Sequence, residues 1–284
     1  GNAQFMNFWT ANVSLTYGPD VMSRSATRGG PRMRIPGSRT VTLSVATDNR
    51  QLLSLRPQIE LTGRGDGAGS TFGAGLDITL QPSTRLLVTL EPSFERKTDA
   101  AQYVTTSDAV SYEPTYGSRY VFADLERRDL SMVTRVNMTF TPKLSLELFA
   151  QPLVSSGDFM TYKQLAQAET FTFETFQEGT ATTDGCSGGR TCVDASGRRL
   201  VDFDGDGRAD HSFTDRDFNL RSLRATAVLR WEYRPGSTIF FVWQRQQADR
   251  ASVGTFDFGR DVDALFAAPA DNRFIVKVNW WLGL

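Results

Sequence analysis

The sequence predicts an all-β fold, namely an antiparallel up-and-down transmembrane β-barrel with about twelve visible strands and long extracellular loops. Two observations lead to this prediction. Apolar and polar residues alternate with a period of two over repeated segments, and the connections between these segments are short on one side and long on the other. Alternation puts apolar side chains on one face of each strand. Polarised connections are typical of bacterial outer-membrane barrels, whose short turns face the periplasm.

The alternation recurs along the whole chain of 284 residues, which we treat as one barrel domain, residues 1–284. In the first segment the apolar row from Phe5 to Tyr17 is interrupted only by Asn7. We predict strands at residues 5–17, 41–47, 51–62, 71–80, 86–95, 102–107, 118–125, 132–140, 144–152, 223–233, 239–247 and 274–284. The set is even in number, as bacterial single-chain barrels require.

The connections between the predicted strands differ in length according to the side of the sheet. Tight turns, several with the Pro-Gly or Pro-Ser pairs that favour β-turns, lie at residues 48–50, 81–84, 141–143 and 234–237. Long outer loops are expected at 18–39, 156–218 and 249–272, and shorter ones at 64–70, 98–101 and 126–129. Helical patterns occur at 161–168 and 261–268. The connection at 108–117 fits poorly, because it should be periplasmic and is not short.

Composition excludes several classes of protein. Lys and Arg total 31 against 32 Asp and Glu, so the net charge of -1 provides no field that would attract nucleic acid. A mean hydropathy of -0.31 and the lack of any run of about 18 apolar residues exclude a transmembrane helix but suit a barrel, in which only alternate residues face lipid. Aromatic residues near both ends of the apolar rows resemble interfacial girdles. We therefore expect membrane lipid as a partner and the bacterial outer membrane as the location, with any export signal upstream of Gly1.

Two cysteines, Cys186 and Cys192, lie close together in a Gly/Ser-rich stretch. This spacing suits a small disulfide loop in an oxidising compartment. Two unrelated free thiols are the alternative that the sequence leaves open.

A calcium-loop pattern follows the cysteines. Carboxylates occupy its first, third, fifth and ninth positions, with Gly205 between them where the chain must turn sharply. The predicted metal ligands are Asp202, Asp204, Asp206, the carbonyl of Arg208 and Asp210. Oxygen ligands in this number favour Ca²⁺. Phe213 stands where a bidentate Glu is expected, so the stretch is more similar to the short Asp-rich loops of extracellular repeats. A solvated Asp/Gly turn without an ion is the alternative.

The remaining polar residues suggest no enzyme. His211 is the single histidine, which excludes multi-histidine metal centres and leaves a Ser-His-Asp hydrolase dependent on one loop residue. A solvated loop side chain is the simpler interpretation of His211. A mixed-charge set on the polar faces would either line an aqueous channel or pair and close the lumen. Its members are Arg56, Glu60, Asp77, Glu91, Arg135, Glu147, Arg224, Arg230 and Glu232.

Several stretches together resemble a known but uncharacterised family. They are Thr27-Arg28-Gly29-Gly30-Pro31, Arg119-Tyr120-Val121-Phe122-Ala123, the Asp-rich loop, and Phe218-Asn219-Leu220-Arg221-Ser222-Leu223 leading into residues 230–237. The chain is similar to the C-terminal barrel of bacterial outer-membrane proteins in which a carbohydrate-binding-like, family-nine-type domain precedes the barrel. This resemblance implies a longer protein, a barrel with more than twelve strands, and glycan handling only through the preceding domain.

Taken together, the sequence predicts a channel or a glycan-associated surface protein with a calcium-ordered outer loop. The alternative is a plugged structural barrel whose loops bind a surface layer or an outer-membrane protein partner.

Overall fold

The computed structural model describes residues 1–282, which are almost entirely β-structure. The strands are β1 (Asn2–Gln4), β2 (Thr10–Gly18), β3 (Val21–Ser23), β4 (Met33–Ile35), β5 (Ser38–Ala46), β6 (Leu53–Arg64), β7 (Gly69–Ser83), β8 (Leu86–Tyr112), β9 (Gly117–Thr141), β10 (Leu144–Leu165), β11 (Phe173–Thr175), β12 (Thr180–Ala181), β13 (Cys186–Ser187), β14 (Thr191–Val193), β15 (Arg198–Val201), β16 (His211–Thr214), β17 (Phe218–Arg234), β18 (Ser237–Ala251) and β19 (Ala270–Asn279). One α-helix, α1 (Phe258–Ala267), and three 3₁₀ turns, Ser25–Thr27, Gly65–Gly67 and Glu113–Thr115, complete the described part.

One large antiparallel sheet organises the chain. Eleven strands follow one another in the order β1-β2-β5-β6-β7-β8-β9-β10-β17-β18-β19, and β11 adds to β10 beside this path. This order confirms the predicted antiparallel meander. Within residues 1–282, β1 and β19 each have a hydrogen-bonded neighbour on one side only, so the sheet has two free edges and the predicted barrel closure is not observed. Among the same residues no helix is long and apolar enough to cross a membrane.

The two ends of the sheet differ, as the connection lengths predicted. At what we call the turn end, tight connections join β5 to β6, β7 to β8, β9 to β10 and β17 to β18. At the opposite loop end, residues 19–37, 166–217 and 252–269 form the long connections. The connection between β10 and β17 is shorter than the predicted loop at 156–218 because β10 continues to Leu165.

The number of strands predicted from the sequence was wrong in the middle of the chain. Residues 86–95 and 102–107 belong to the single strand β8, and residues 118–125 and 132–140 belong to β9. Residues 98–101 and 126–129 are strand, not loop, and register shifts after Asp99 and Tyr103 accommodate extra residues in β8. Residues 108–117 are therefore the tip of this long hairpin at the loop end, which removes the misfit of a long periplasmic connection.

Other boundaries also differ from the prediction. Residues 5–9 form a turn, in which the Phe5 amide donates to the Trp9 carbonyl (2.8 Å) and Phe8 has a φ of 63°. The first long strand therefore begins at Thr10. The helical pattern at 161–168 is wrong, since β10 runs through Leu165, whereas the pattern at 261–268 corresponds to α1. The last strand ends at Asn279, and Leu284, which the prediction included, lies outside the described residues.

The two faces of the sheet differ in polarity. Residues directly opposite each other on antiparallel strands share a face. The row Leu15–Val41–Leu61–Phe72 is therefore continuous across β2, β5, β6 and β7. Leu15 is 76% and Leu61 46% exposed, so this apolar face lies open. The opposite face carries the predicted charged residues, and we call it the polar face.

At the loop end, β8, β9 and β10 extend beyond their neighbours and are covered on both sides. One apolar cluster, made of Met33, Tyr120, Phe122 and Leu165, packs residues 20–35 and 171–173 against the extension. A second cluster covers the other side, where Val121 and Ala123 meet Phe203 and other residues of the segment 166–217. Full burial of each such side chain contributes roughly 1.5–3 kcal/mol. We call residues 166–217 the loop body.

Candidate functional site

Residues 176–217 of the loop body form a small folded unit that lies on the polar face, whereas residues 171–173 pack on the opposite side of the strands. Successive residues of a strand point to opposite faces, so Val121 and Ala123 of β9 share a face with Arg135. Phe176, Phe203 and other loop-body side chains pack on these two residues. The loop body therefore covers the loop end of the same face that carries the mixed-charge set.

The disulfide prediction is confirmed. Cys186 and Cys192 are bonded, with an S–S distance of 2.02 Å and a sequence separation of six. The segment before Cys186 touches the Asp-rich loop, since the Ala209 amide donates to the Asp184 carbonyl (2.9 Å). A Cβ on Gly185 would lie 2.4 Å from the Gly207 carbonyl oxygen, so this close approach requires glycine. The disulfide and the Asp-rich loop thus form one packed unit.

The structure brings three predicted metal ligands together. Carboxylate oxygens of Asp202, Asp204 and Asp210 all lie within 4.8 Å of one another. Asp202 is buried, and its two oxygens accept hydrogen bonds from the amides of Gly205 (2.6 Å) and Gly207 (2.8 Å). Both glycines have positive φ, of 83° and 87°, which a side chain would strain. The sharp turn around Asp202 therefore depends on these glycines.

Asp206, the fourth predicted carboxylate ligand, lies outside this cluster. Asp206 accepts a hydrogen bond from the Arg208 amide (2.8 Å), which closes a local turn. Asp210, a member of the cluster, accepts a hydrogen bond from the Phe203 amide (2.6 Å). Among residues 1–282, none of the three clustered carboxylates forms an ion pair. Three close carboxylates with no cationic partner offer the hard oxygen ligands that Ca²⁺ prefers.

An arginine that the sequence did not single out supports the start of the Asp-rich loop. Arg190 donates from Nε to the Asp202 carbonyl (3.1 Å) and from Nη2 to the Phe203 carbonyl. Its Nη1 pairs with Glu174 at 2.5 Å. The backbone of Arg190 also accepts from the Asp202 amide (2.9 Å). No local sequence pattern predicts this role of Arg190, because its contacts join residues that are a dozen positions apart in the chain.

The side chain of His211, for which the simpler interpretation was a solvated loop residue, is half-buried. Its ring stacks on Phe203, with centroids 6.3 Å apart, and contacts Phe213. Nε2 lies 3.5 Å from the Thr105 hydroxyl. Burial, with a smaller effect from Arg198, lowers the pKa of His211 below its ordinary value of 6.5. The imidazole of His211 therefore packs between the loop body and β8.

The mixed-charge set on the polar face is partly paired. Arg135 bonds Glu91 at 2.7 Å across β8 and β9, and Arg230 lies 3.8 Å from Glu232. Glu60 lines an open cavity of about 310 Å³ with Glu95 and Asp129. Gly73 opposes Glu60 on one neighbouring strand and Glu95 on the other, and its lack of a side chain leaves the space between the two carboxylates open. The polar face therefore combines neutralised pairs with an acidic, open region.

Taken together, these features define an antiparallel β-sheet protein with one apolar face, one charged face and a disulfide-bonded loop body. The chain belongs to the family described as a domain of unknown function, DUF5916, whose match spans residues 1–284. No curated protein matches the chain.

Proposed function

We propose that the sheet is the wall of a bacterial outer-membrane β-barrel that acts as a channel or a glycan-associated surface protein. The observation that supports this proposal most strongly is the exposed apolar face. Soluble proteins rarely expose contiguous apolar patches larger than a few hundred Å², yet here exposed apolar rows run from strand to strand, and one of them includes Phe241 and Val276. Lipid is the solvent that makes such a face stable.

The total exposed area supports the same proposal. The described chain has an accessible surface of 16560 Å², whereas a compact soluble protein of 31.5 kDa would have about 12,000 Å². The excess arises because both faces of β19 and β2 are open. In lipid, free sheet edges would leave backbone groups without partners. The proposal therefore includes further strands, from a longer protein, that pair with the two edges and close the barrel.

The polar face would then line the lumen, and its acidic region around Glu60 and Glu95 suits an aqueous path. The loop body would lie over the external mouth. This position also favours the second candidate, a plugged barrel that docks a surface layer or protein partner through its loops. Arg199 of the loop body pairs with Glu178 and Asp215, at 2.7 and 3.4 Å, which stiffens the cover.

Planar-bilayer conductance of the complete native protein separates the two candidates. A channel gives discrete current steps, and oligosaccharides that enter it reduce their size. A barrel that inserts but carries no current favours the plugged, docking function. Recovery of the folded protein from water without detergent contradicts both candidates.

We also propose that Ca²⁺ orders the loop body. Asp202, Asp204 and Asp210 would hold the ion, with Asp206 and the Arg208 carbonyl as the remaining candidates. The bound ion would supply positive charge among three carboxylates and fix the turn between β15 and β16. We expect Ca²⁺ to slow proteolysis of residues 186–215 relative to chelator, while the sheet stays folded in both conditions. Equal cleavage rates with Ca²⁺ and with chelator contradict this part of the proposal.

A further inference from the structure

The apolar face contains a cavity that the proposed barrel wall does not explain. It lies across β5, β6, β7 and β8 and has a volume of about 540 Å³. Val41, Leu61 and Phe72 form its apolar lining, and Arg39 and Arg96 lie beside them. An apolar surface next to two guanidinium groups matches an amphiphile with an anionic head.

The strand register places the two arginines where the apolar rows end, toward the loop end of the sheet. Val41 opposes Leu61, Leu61 opposes Phe72, and Phe72 opposes Arg96. Arg39 lies two residues nearer the loop end than Val41 and opposes Tyr17. Tyr17 is 68% exposed on the same face. Tyrosine collects at the level of lipid headgroups, so this level is where a headgroup would meet the sheet.

The spacing of side chains leaves the cavity open between the arginines. Gly63 opposes Arg39 and Ser70 opposes Gly63, so only small side chains separate Arg39 from β8. No heavy atom lies within 4 Å of a Cβ built on Gly63. Arg39 on β5 and Arg96 on β8 therefore line the same cavity.

Both arginines keep guanidinium N–H donors that no ion pair within residues 1–282 uses. Arg39 forms no ion pair with any residue of the described chain 1–282. Arg96 bonds Glu126 through one nitrogen only, at 3.1 Å, and its side chain is 51% exposed. Glu126 is also held by Arg128 at 2.5 Å. The site therefore has net positive charge, and guanidinium donors suit the bidentate geometry of phosphate oxygens.

We propose that this cavity binds the phosphorylated headgroup of an outer-leaflet lipid, with Arg39 and Arg96 holding the phosphate and Val41, Leu61 and Phe72 contacting an acyl chain. The inference rests on the proposed membrane location of the apolar face. Clustered Lys and Arg side chains near a membrane surface attract anionic lipid headgroups.

The test uses the complete chain folded in dodecyl maltoside micelles, which contain no phosphate, and native mass spectrometry to count lipid adducts. The probe is dilauroyl phosphatidic acid, and dilauroyl glycerol is the matched lipid without phosphate. The variant Arg39→Gln/Arg96→Gln removes both guanidinium groups. Arg56→Gln/Arg224→Gln removes two charges from the polar face and is the control.

We expect a phosphatidic acid adduct that the control variant retains and that Arg39→Gln/Arg96→Gln weakens about 30-fold, taking about 1 kcal/mol for each arginine. Equal binding by both variants overturns the inference, as does equal binding of dilauroyl glycerol. Displacement of the lipid by millimolar inorganic phosphate would show a free-anion site instead, and a dimer without lipid would show a protein interface. Folding without detergent would contradict the membrane proposal itself, which is a separate result.

Discussion

Removal of the disulfide should loosen the loop body by a predictable amount. The bond joins residues six positions apart. A cross-link of that span lowers the conformational entropy of the opened loop body, which stabilises the closed form by about 2.2 kcal/mol at 25 °C. The variant Cys186→Ala/Cys192→Ala should therefore raise the population of the opened loop body about 40-fold. The sheet should remain folded, because the strands β8 to β10 keep their own hydrogen bonds.

Limited trypsin digestion measures this change. Arg190 and Arg198 lie in the loop body and become cleavable when it opens, whereas Arg260 in α1 serves as an internal control. We expect faster cleavage at the first two sites and an unchanged rate at Arg260. Added reductant should have no further effect on the variant. Equal cleavage of native chain and variant at Arg190 and Arg198 would refute the conclusion that the disulfide stabilises the loop body.

Three further predictions follow from the same geometry. Asp202→Asn should abolish the protection of residues 186–215 by Ca²⁺, because it removes a buried carboxylate from the cluster. Since the folded pKa of His211 is lowered, the unfolded loop body binds its proton first, so stability should fall as the pH drops below about 6.5; His211→Asn should remove this dependence in hydrogen-exchange measurements. Ala227→Arg, in the middle of the apolar row of β17, should destabilise the protein in vesicles by about 2–4 kcal/mol in urea titrations.

Each of these predictions has a control and a contradicting result. Asp194→Asn alters a neighbouring turn outside the carboxylate cluster and should leave calcium protection intact; loss of protection in both variants would contradict the assignment of Asp202. Retention of the pH dependence in His211→Asn would assign it to another group. Thr226→Arg places the same charge on the polar face and should cost far less than Ala227→Arg. Equal costs would contradict the distinction between the faces.

Alternation of residues predicted most of the sheet because it follows the difference in polarity between the two faces. The predicted strand 223–233 lies within β17, and 71–80 lies within β7. The prediction failed where that asymmetry ends. The stretches 98–101 and 126–129 look like loops in the sequence, yet pairing between β8 and β9 continues through them. A strand segment needs partners for its backbone but no apolar row.

The candidate site was predictable only in its local part. The spacing of the aspartates placed Asp202, Asp204 and Asp210 on one turn, because carboxylates at these intervals around a glycine point inward. Their calcium binding stays a prediction. The contribution of Arg190 and the packing of His211 against Phe203 depend on how distant segments fold together, and a single sequence contains no signal for them.

The central claim is that the apolar face contacts lipid and the polar face contacts water. Spin labels on single cysteines along β17 test it directly, at residues 223 to 230 of the protein in lipid vesicles. We predict that oxygen, which partitions into lipid, reaches labels at Leu223, Ala225, Ala227 and Leu229, whereas a water-soluble nickel chelate reaches labels at Arg224, Thr226 and Arg230. Equal access of both reagents to the two sets would contradict the claim.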